Sequence, residues 1–140
     1  MLSNEKVESF LTEHRNLILA GTRTDGRPHV TPNWFYWDGT RFYVSTTRDR
    51  AKYRIFRRDT RAQLVVDDPK GLRAVLIPAT VEIREDTPAQ LCWFVAIREK
   101  YGMTVLSDAE HLEALKVEGR VLLVITPIGP LSTWTSWGFD

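Results

Sequence analysis

One cysteine, Cys92, occurs in 140 residues. That count excludes an internal disulfide and a multi-cysteine metal site. With Leu91, Trp93 and Phe94 beside it, Cys92 is read as a small buried apolar residue. Histidine is nearly as scarce. His14, His29 and His111 stand far apart with no HExxH or similar spacing, so a metal site has no support. Long apolar runs are missing as well, and a run such as Val121 to Ile125 is far too short to cross a bilayer. The N-terminal stretch MLSNEKVESFLTEHR is charged and amphipathic, without the apolar centre of a signal peptide. The expectation is a soluble, cytoplasmic protein with no membrane partner. GxSxG, a Cys/His pairing, GxGxxG and the P-loop are all absent, which removes covalent-nucleophile, Rossmann and nucleotide-triphosphatase readings. A chain so short of its own acid–base groups suits a protein whose bound cofactor performs the hard step while the fold orients it.

What is present is an ordinary globular composition and a length suited to one packed core, so residues 1–140 are read as a single domain. Val7, Phe10 and Leu11 fall at helical spacing and predict a short helix over 4–14, with Ser3 or Asn4 as cap. Strands are predicted at 17–22, 29–37 and 41–46, joined by TDGRP and WDGT turns into a three-stranded meander. Further strands follow at 62–67 and 72–84, the second broken near Pro78. The segment 87–102 reads as a helix capped by Thr87, with Pro88 first and Gly102 just past its end. Ser107 and Glu110 form a capping box for a helical piece over 107–116. Val121 to Thr126 is a buried strand, and 128–134 is one more candidate. Six or seven antiparallel strands with peripheral helices predict a mainly β, α+β barrel.

Charge is where the sequence is unusual. Thr46 to Arg61, TTRDRAKYRIFRRDTR, holds seven basic residues and two acidic ones, a net of +5 against +1 for the whole chain, so the rest is acidic. Stepped at 100° per residue, 49–61 is a two-faced helix. Arg50, Arg54, Arg57, Arg58 and Arg61 share the outer side, and Ala51, Ile55 and Phe56 the inner. The outer arginines read as a solvated face. Lys52 falls among the inner residues, where an unpaired ammonium is costly. It sits in the first turn of its helix, where free N–H groups and the dipole favour anions. Arg50 is adjacent, and the hydroxyls of Ser45, Thr46 and Thr47 end the preceding strand. Together these groups describe a phosphate site, with an Asp49 cap as a competing local account of the helix start. A long polyanion is opposed by the acidic remainder, and none of the RNA-binding motifs appears, so no nucleic acid is expected.

Along HVTPNWFYW, Val30, Pro32, Trp34 and Tyr36 share one face, and His29, Thr31, Asn33, Phe35 and Trp37 the other. Pro32 marks an edge or bulge where a ligand ring could approach the backbone. The tail STWTSWGFD is rich enough in aromatics to predict docking, on a second subunit or on the rim of a cofactor cleft.

The segments LAGTRTDGRPHVTPNWFYWDGTRFYVSTT and RDRAKYRIFRRDTRAQLVV resemble the split β-barrel superfamily of pyridoxamine 5′-phosphate oxidase-like proteins. The R-x-K, R-R-D and R-A pattern resembles the branch that uses the 5-deazaflavin coenzyme F420. The resemblance runs from Asn16 to about Thr126. It implies an FMN-binding split barrel of six to seven antiparallel strands with two to four peripheral helices. It implies that Ser45, Thr46, Thr47, Arg50, Ala51 and Lys52 hold the cofactor's phosphate, with Pro32 and Trp34 beside its ring. It also implies a homodimer with cofactor sites at the subunit interface, and an oxidoreductase passing a hydride from reduced F420 to an unsaturated or conjugated small molecule. FMN is the alternative cofactor, and a non-catalytic module binding a cofactor or a tetrapyrrole the alternative role. The residues expected of a true pyridoxamine phosphate oxidase substrate site are not seen. The tail after Thr126 fits no pattern, and the helical insert at 87–116, where substrate choice is expected to lie, is left open.

Overall fold

The computed structural model describes residues 4–13 and 16–140. Ser3 and His14 lie outside that range, as does the side chain of Asn4, so the predicted cap of the first helix lies outside the described residues. In chain order the elements are α1 (Asn4–Glu13), β1 (Leu17–Thr22), β2 (Pro28–Asn33), β3 (Tyr36–Trp37), β4 (Phe42–Thr47), α2 (Ala51–Arg58), β5 (Arg61–Asp67), β6 (Ala74–Arg84), α3 (Thr87–Lys100), α4 (Asp108–Glu118), β7 (Arg120–Pro127) and β8 (Thr135–Trp137). The strands form one curled antiparallel sheet in the order β2-β1-β5-β6-β7-β4-β3, with β8 added beside β6.

The expected meander is corrected at one point. The segment 29–37 is two strands: β2 pairs with β1 and β3 pairs with β4, at opposite ends of the sheet order. Only Trp34 and Phe35 separate them in the chain, so the sheet must curl to bring its two end strands near each other, joined through the chain and not by ladder pairing. At this seam Phe35 has no ladder partner. The Tyr101 hydroxyl replaces one, accepting from the Phe35 N–H at 3.0 Å and donating to its carbonyl at 3.4 Å. The side-chain alternation survives the break. Asn33, Phe35 and Trp37 are buried, and Pro32 and Trp34 are exposed.

Inside the curl lies the main core, built from Phe10, Leu17, Leu19, Phe35, Phe42, Leu64, Val66, Ile77, Leu123 and Ile125 among others. A second cluster lies outside the sheet, where α3 and α4 cover Tyr43, Leu122 and Val124 with Phe94, Ile97 and Leu115. The run Val121–Ile125 is buried on both faces for this reason, which is why it reads as continuous apolar sequence. Gly119 ends α4 in the left-handed region at φ 66°, and the chain turns directly into β7.

Several local expectations shift. Asp86, not Thr87, caps α3, accepting from the Ala89 N–H at 3.4 Å. β6 runs unbroken through Pro78. The Pro78 carbonyl accepts from the Ile128 N–H at 2.8 Å, so its missing N–H faces the interval between the stretches paired with β7 and β8, where no ladder donor is needed. Cys92 is exposed rather than buried. Phe94 and Ile97 define the buried face of α3, and Cys92 falls about 200° and 140° from them. The segment 128–134 is not a strand. A 3-10 turn at Leu131–Thr133 precedes β8. The aromatic tail docks on its own barrel: Trp134 meets Trp37 edge-on at 6.3 Å and Phe139 meets Phe10 at 5.0 Å. Trp137 stays half-exposed.

Candidate functional site

A cleft of about 310 Å³ opens on the outer side of the barrel, beside the seam. Its walls are Pro32, Asn33 and Trp34 from the β2 edge, Ser45, Thr46 and Thr47 from β4, Arg50 and Lys52 at the head of α2, Ile97 of α3 and Arg120 of β7. Seven of the eight residues expected at the cofactor thus share one cavity. The eighth, Ala51, packs its side chain against the main core and does not line the cleft.

The structure explains how these residues converge. Antiparallel pairing sets Ser45 opposite Leu122 and Thr47 opposite Arg120. The Arg120 guanidinium donates to the Ser45 hydroxyl at 3.4 Å and pairs with Glu118 at 2.9 Å. The chain then turns over Arg48–Asp49 into α2, whose inner residues Ile55 and Phe56 are buried and whose outer arginines are exposed. Arg50 is the cap residue of α2, and its side chain makes no capping bond to the helix N-terminus. The Asp49 carboxylate is turned instead toward the Thr47 hydroxyl. The competing account, an aspartate-capped helix start, is therefore replaced by one in which, among the described residues, the Ala51 and Lys52 N–H groups carry no side-chain acceptor.

Lys52 is half-buried and points toward the β2 edge, with the Thr31 hydroxyl 3.4 Å from its ammonium. Burial lowers its pKa from 10.5, and the Arg50 charge lowers it further. Nearby, His29 is also held below its ordinary value, by burial and then by the charges of Arg23 and Lys52. Among the described residues, three cations line the cleft and no carboxylate does. Such a cavity favours an anion, because each cation raises the cost of its neighbours' charge until a negative group arrives. Size alone does not single out this cleft: an open groove of about 900 Å³ lies elsewhere, but Glu13, Asp67 and Asp68 are in its lining.

Asn33, Ile97 and Arg120 were missed by sequence reasoning. Arg120 lies 68 positions beyond Lys52, and only the β4–β7 register brings it to the cleft. Ile97 is an aliphatic helix residue and carries no chemical signal in the sequence. Asn33 did give one, as a polar residue on the inner face of β2; its amide donates to the Thr31 carbonyl at 2.9 Å and to the Thr31 hydroxyl at 3.2 Å.

The family model for pyridoxamine 5′-phosphate oxidase matches residues 3–128. The chain belongs to this family. Among solved pyridoxamine 5′-phosphate oxidase-like structures, it is similar to an F420 reductase, 27% identical, with a TM-score of 0.71 over 87% of this chain and 93% of that one. It is similar in fold to a conserved hypothetical protein from Mycobacterium tuberculosis, 24% identical, TM-score 0.82, over 98% and 85% of the two chains. It is likewise similar in fold to a heme storage protein from Vibrio cholerae, 17% identical, TM-score 0.77, over 100% and 98%. No curated protein matches the chain. Among the described residues, no helix is long and apolar enough to cross a membrane.

Proposed function

We propose that the chain is an oxidoreductase that binds coenzyme F420 in the cleft and acts on an unsaturated or conjugated small molecule. Lys52 is the observation that carries this reading: a half-buried ammonium with a lowered pKa, beside Arg50 and the uncapped start of α2, in a cavity without carboxylates. The residues present fit the phosphate of such a group. Lys52 and Arg50 neutralise it, the hydroxyl of Ser45 and the N–H groups of Ala51 and Lys52 at the head of α2 supply donors, and Arg120 closes the β7 side. Pro32 and Trp34 wall the ring. When bound, the deazaflavin supplies hydride transfer. No carboxylic acid or histidine is among the lining residues, so the accompanying proton is assigned to solvent. The similarity to an F420 reductase at 27% identity supports this choice of cofactor.

FMN offers the same phosphate chemistry and is the second reading, supported by the family match. Absorption and fluorescence separate the two. Protein that purifies colourless and changes the fluorescence anisotropy of micromolar F420 fits the first. Protein that purifies yellow, with a flavin band and no response to F420, replaces it with the second. The exposed residues Val30, Pro32 and Trp34 on the β2 edge, next to the cleft, support the accompanying proposal that two copies pair across this edge.

A further inference from the structure

Three contacts from the last turn of α3 converge on the two-residue seam of the barrel. The Tyr101 ring lies parallel to the Trp34 indole, 4.3 Å between centroids and 4° between planes. The Tyr101 hydroxyl bonds both the N–H and the carbonyl of Phe35. The Lys100 ammonium lies 3.5 Å from the centroid of the Phe35 ring. Ile97, four residues before Tyr101 on the same helix face, lines the cleft itself. Trp34 borders the cleft and remains 48% exposed, with one indole face covered by Tyr101.

From this grip we infer that Tyr101 is a positioning residue that sets the plane of Trp34, so that the cleft selects phosphate ligands carrying a planar ring over phosphates without one. The inference rests on the proposed function for the position of the ring. Its physical content is separate from anion binding. A lone indole at a strand end on the surface samples several rotamers, and a ligand that stacks on it must first restrict them. An indole already stacked on a tyrosine, whose hydroxyl is pinned to the next peptide, presents a fixed surface. Aromatic pairs of this kind contribute beyond their buried area. Through Tyr101 and Ile97, α3 is connected to the ring end of the cleft, while the phosphate end is built from β4, α2 and β7.

Tyr101→Phe keeps the stack and removes both hydroxyl bonds; Tyr101→Leu removes the stack as well. Dissociation constants for F420, FMN and inorganic phosphate are measured on the wild-type protein and both variants, with amide hydrogen exchange at Phe35. For whichever ring ligand binds the wild type, Tyr101→Leu is expected to weaken binding about tenfold and Tyr101→Phe about threefold. Phosphate affinity is expected to stay within about twofold, and Tyr101→Phe to speed exchange at Phe35. Equal loss of ring-ligand and phosphate binding assigns Tyr101 a merely structural role and overturns the inference alone, as does ring-ligand affinity unchanged in both variants. A wild-type protein that binds phosphate but neither ring ligand overturns the proposed function together with it. Should Tyr101→Leu fail to fold, Tyr101→Phe carries the same comparison.

Discussion

Lys52 and Lys100 are two lysines drawn out of water in different ways. Lys52 borders a cleft where an anion can restore its partner. Lys100 does not. Its ammonium is buried over the Phe35 ring without a hydrogen-bond partner among the described residues, and burial pushes its pKa down from 10.5 to about 8. In the unfolded chain the same group keeps its proton to about pH 10.4. Between pH 8 and 10 the unfolded state therefore holds a proton that the folded state has released, and this group makes stability rise with pH. Above pH 10 Tyr43 acts in the opposite sense: burial and the Asp38 carboxylate raise it to about 12, so the folded state is then the one that keeps the proton. Denaturant unfolding of the wild type and of Lys100→Met at pH 7 and 9.5 should show the variant gaining less stability with pH than the wild type. Identical pH dependence would place the ammonium in water. At this scale the sequence was informative where a residue broke a pattern, as Lys52 did on the inner face of its helix. Cys92 carried no such break; its apolar neighbours suggested burial, and only the face that α3 presents to the sheet decided otherwise.

Among the elements, α2 is held by an unusually close approach to β1. A Cβ added at Gly21 would lie 2.9 Å from Ile55 Cγ2 and 2.9 Å from Phe56 Cζ, both on buried side chains of α2. Glycine at this position lets the helix sit flat on the strand and fixes where its N-terminus opens. Gly21→Ala should cost about 1–3 kcal/mol by overpacking, lower the Tm and weaken ligand binding by shifting Arg50 and Lys52. A Tm equal to wild type would mean that α2 is not seated as tightly as described. Element types were legible from periodicity and punctuation: β1 falls at the predicted residues, and Ser107 caps α4 with its hydroxyl 3.2 Å from the Glu110 N–H. Boundaries were less legible where tertiary partners replaced local ones. A tyrosine 66 residues away satisfies the Phe35 peptide, and nothing in HVTPNWFYW announces it.

For the molecule as a whole, the order of strands decides where chemistry can occur. Trp34 and Phe35 join the two end strands of the curled sheet through the chain without pairing them, and the cleft lies beside this seam. The half of the cleft lined from β4 and α2 was legible because β4, the turn and α2 are consecutive in sequence. The other half was not, because Ile97 and Arg120 arrive through the helical insert and the β7 register. The tail, expected on a partner or on the cleft rim, instead fills the main core with Trp134 and Phe139. That docking leaves the β2 edge as the apolar surface next to the site. Light scattering behind size exclusion should give a dimer mass, and Val30→Glu should shift it toward the monomer. A monomeric wild type at micromolar concentration would contradict pairing across this edge.

The central claim is that Lys52 meets a ligand phosphate, and its most direct measurement is the dissociation constant of F420 for the wild type and for Lys52→Ala. Removing one charge-assisted contact should weaken binding by about 1.5–3 kcal/mol, with the variant's Tm in the absence of ligand unchanged or raised, since a desolvated charge has been removed. A variant that binds as tightly as the wild type would contradict the claim and move the anion elsewhere.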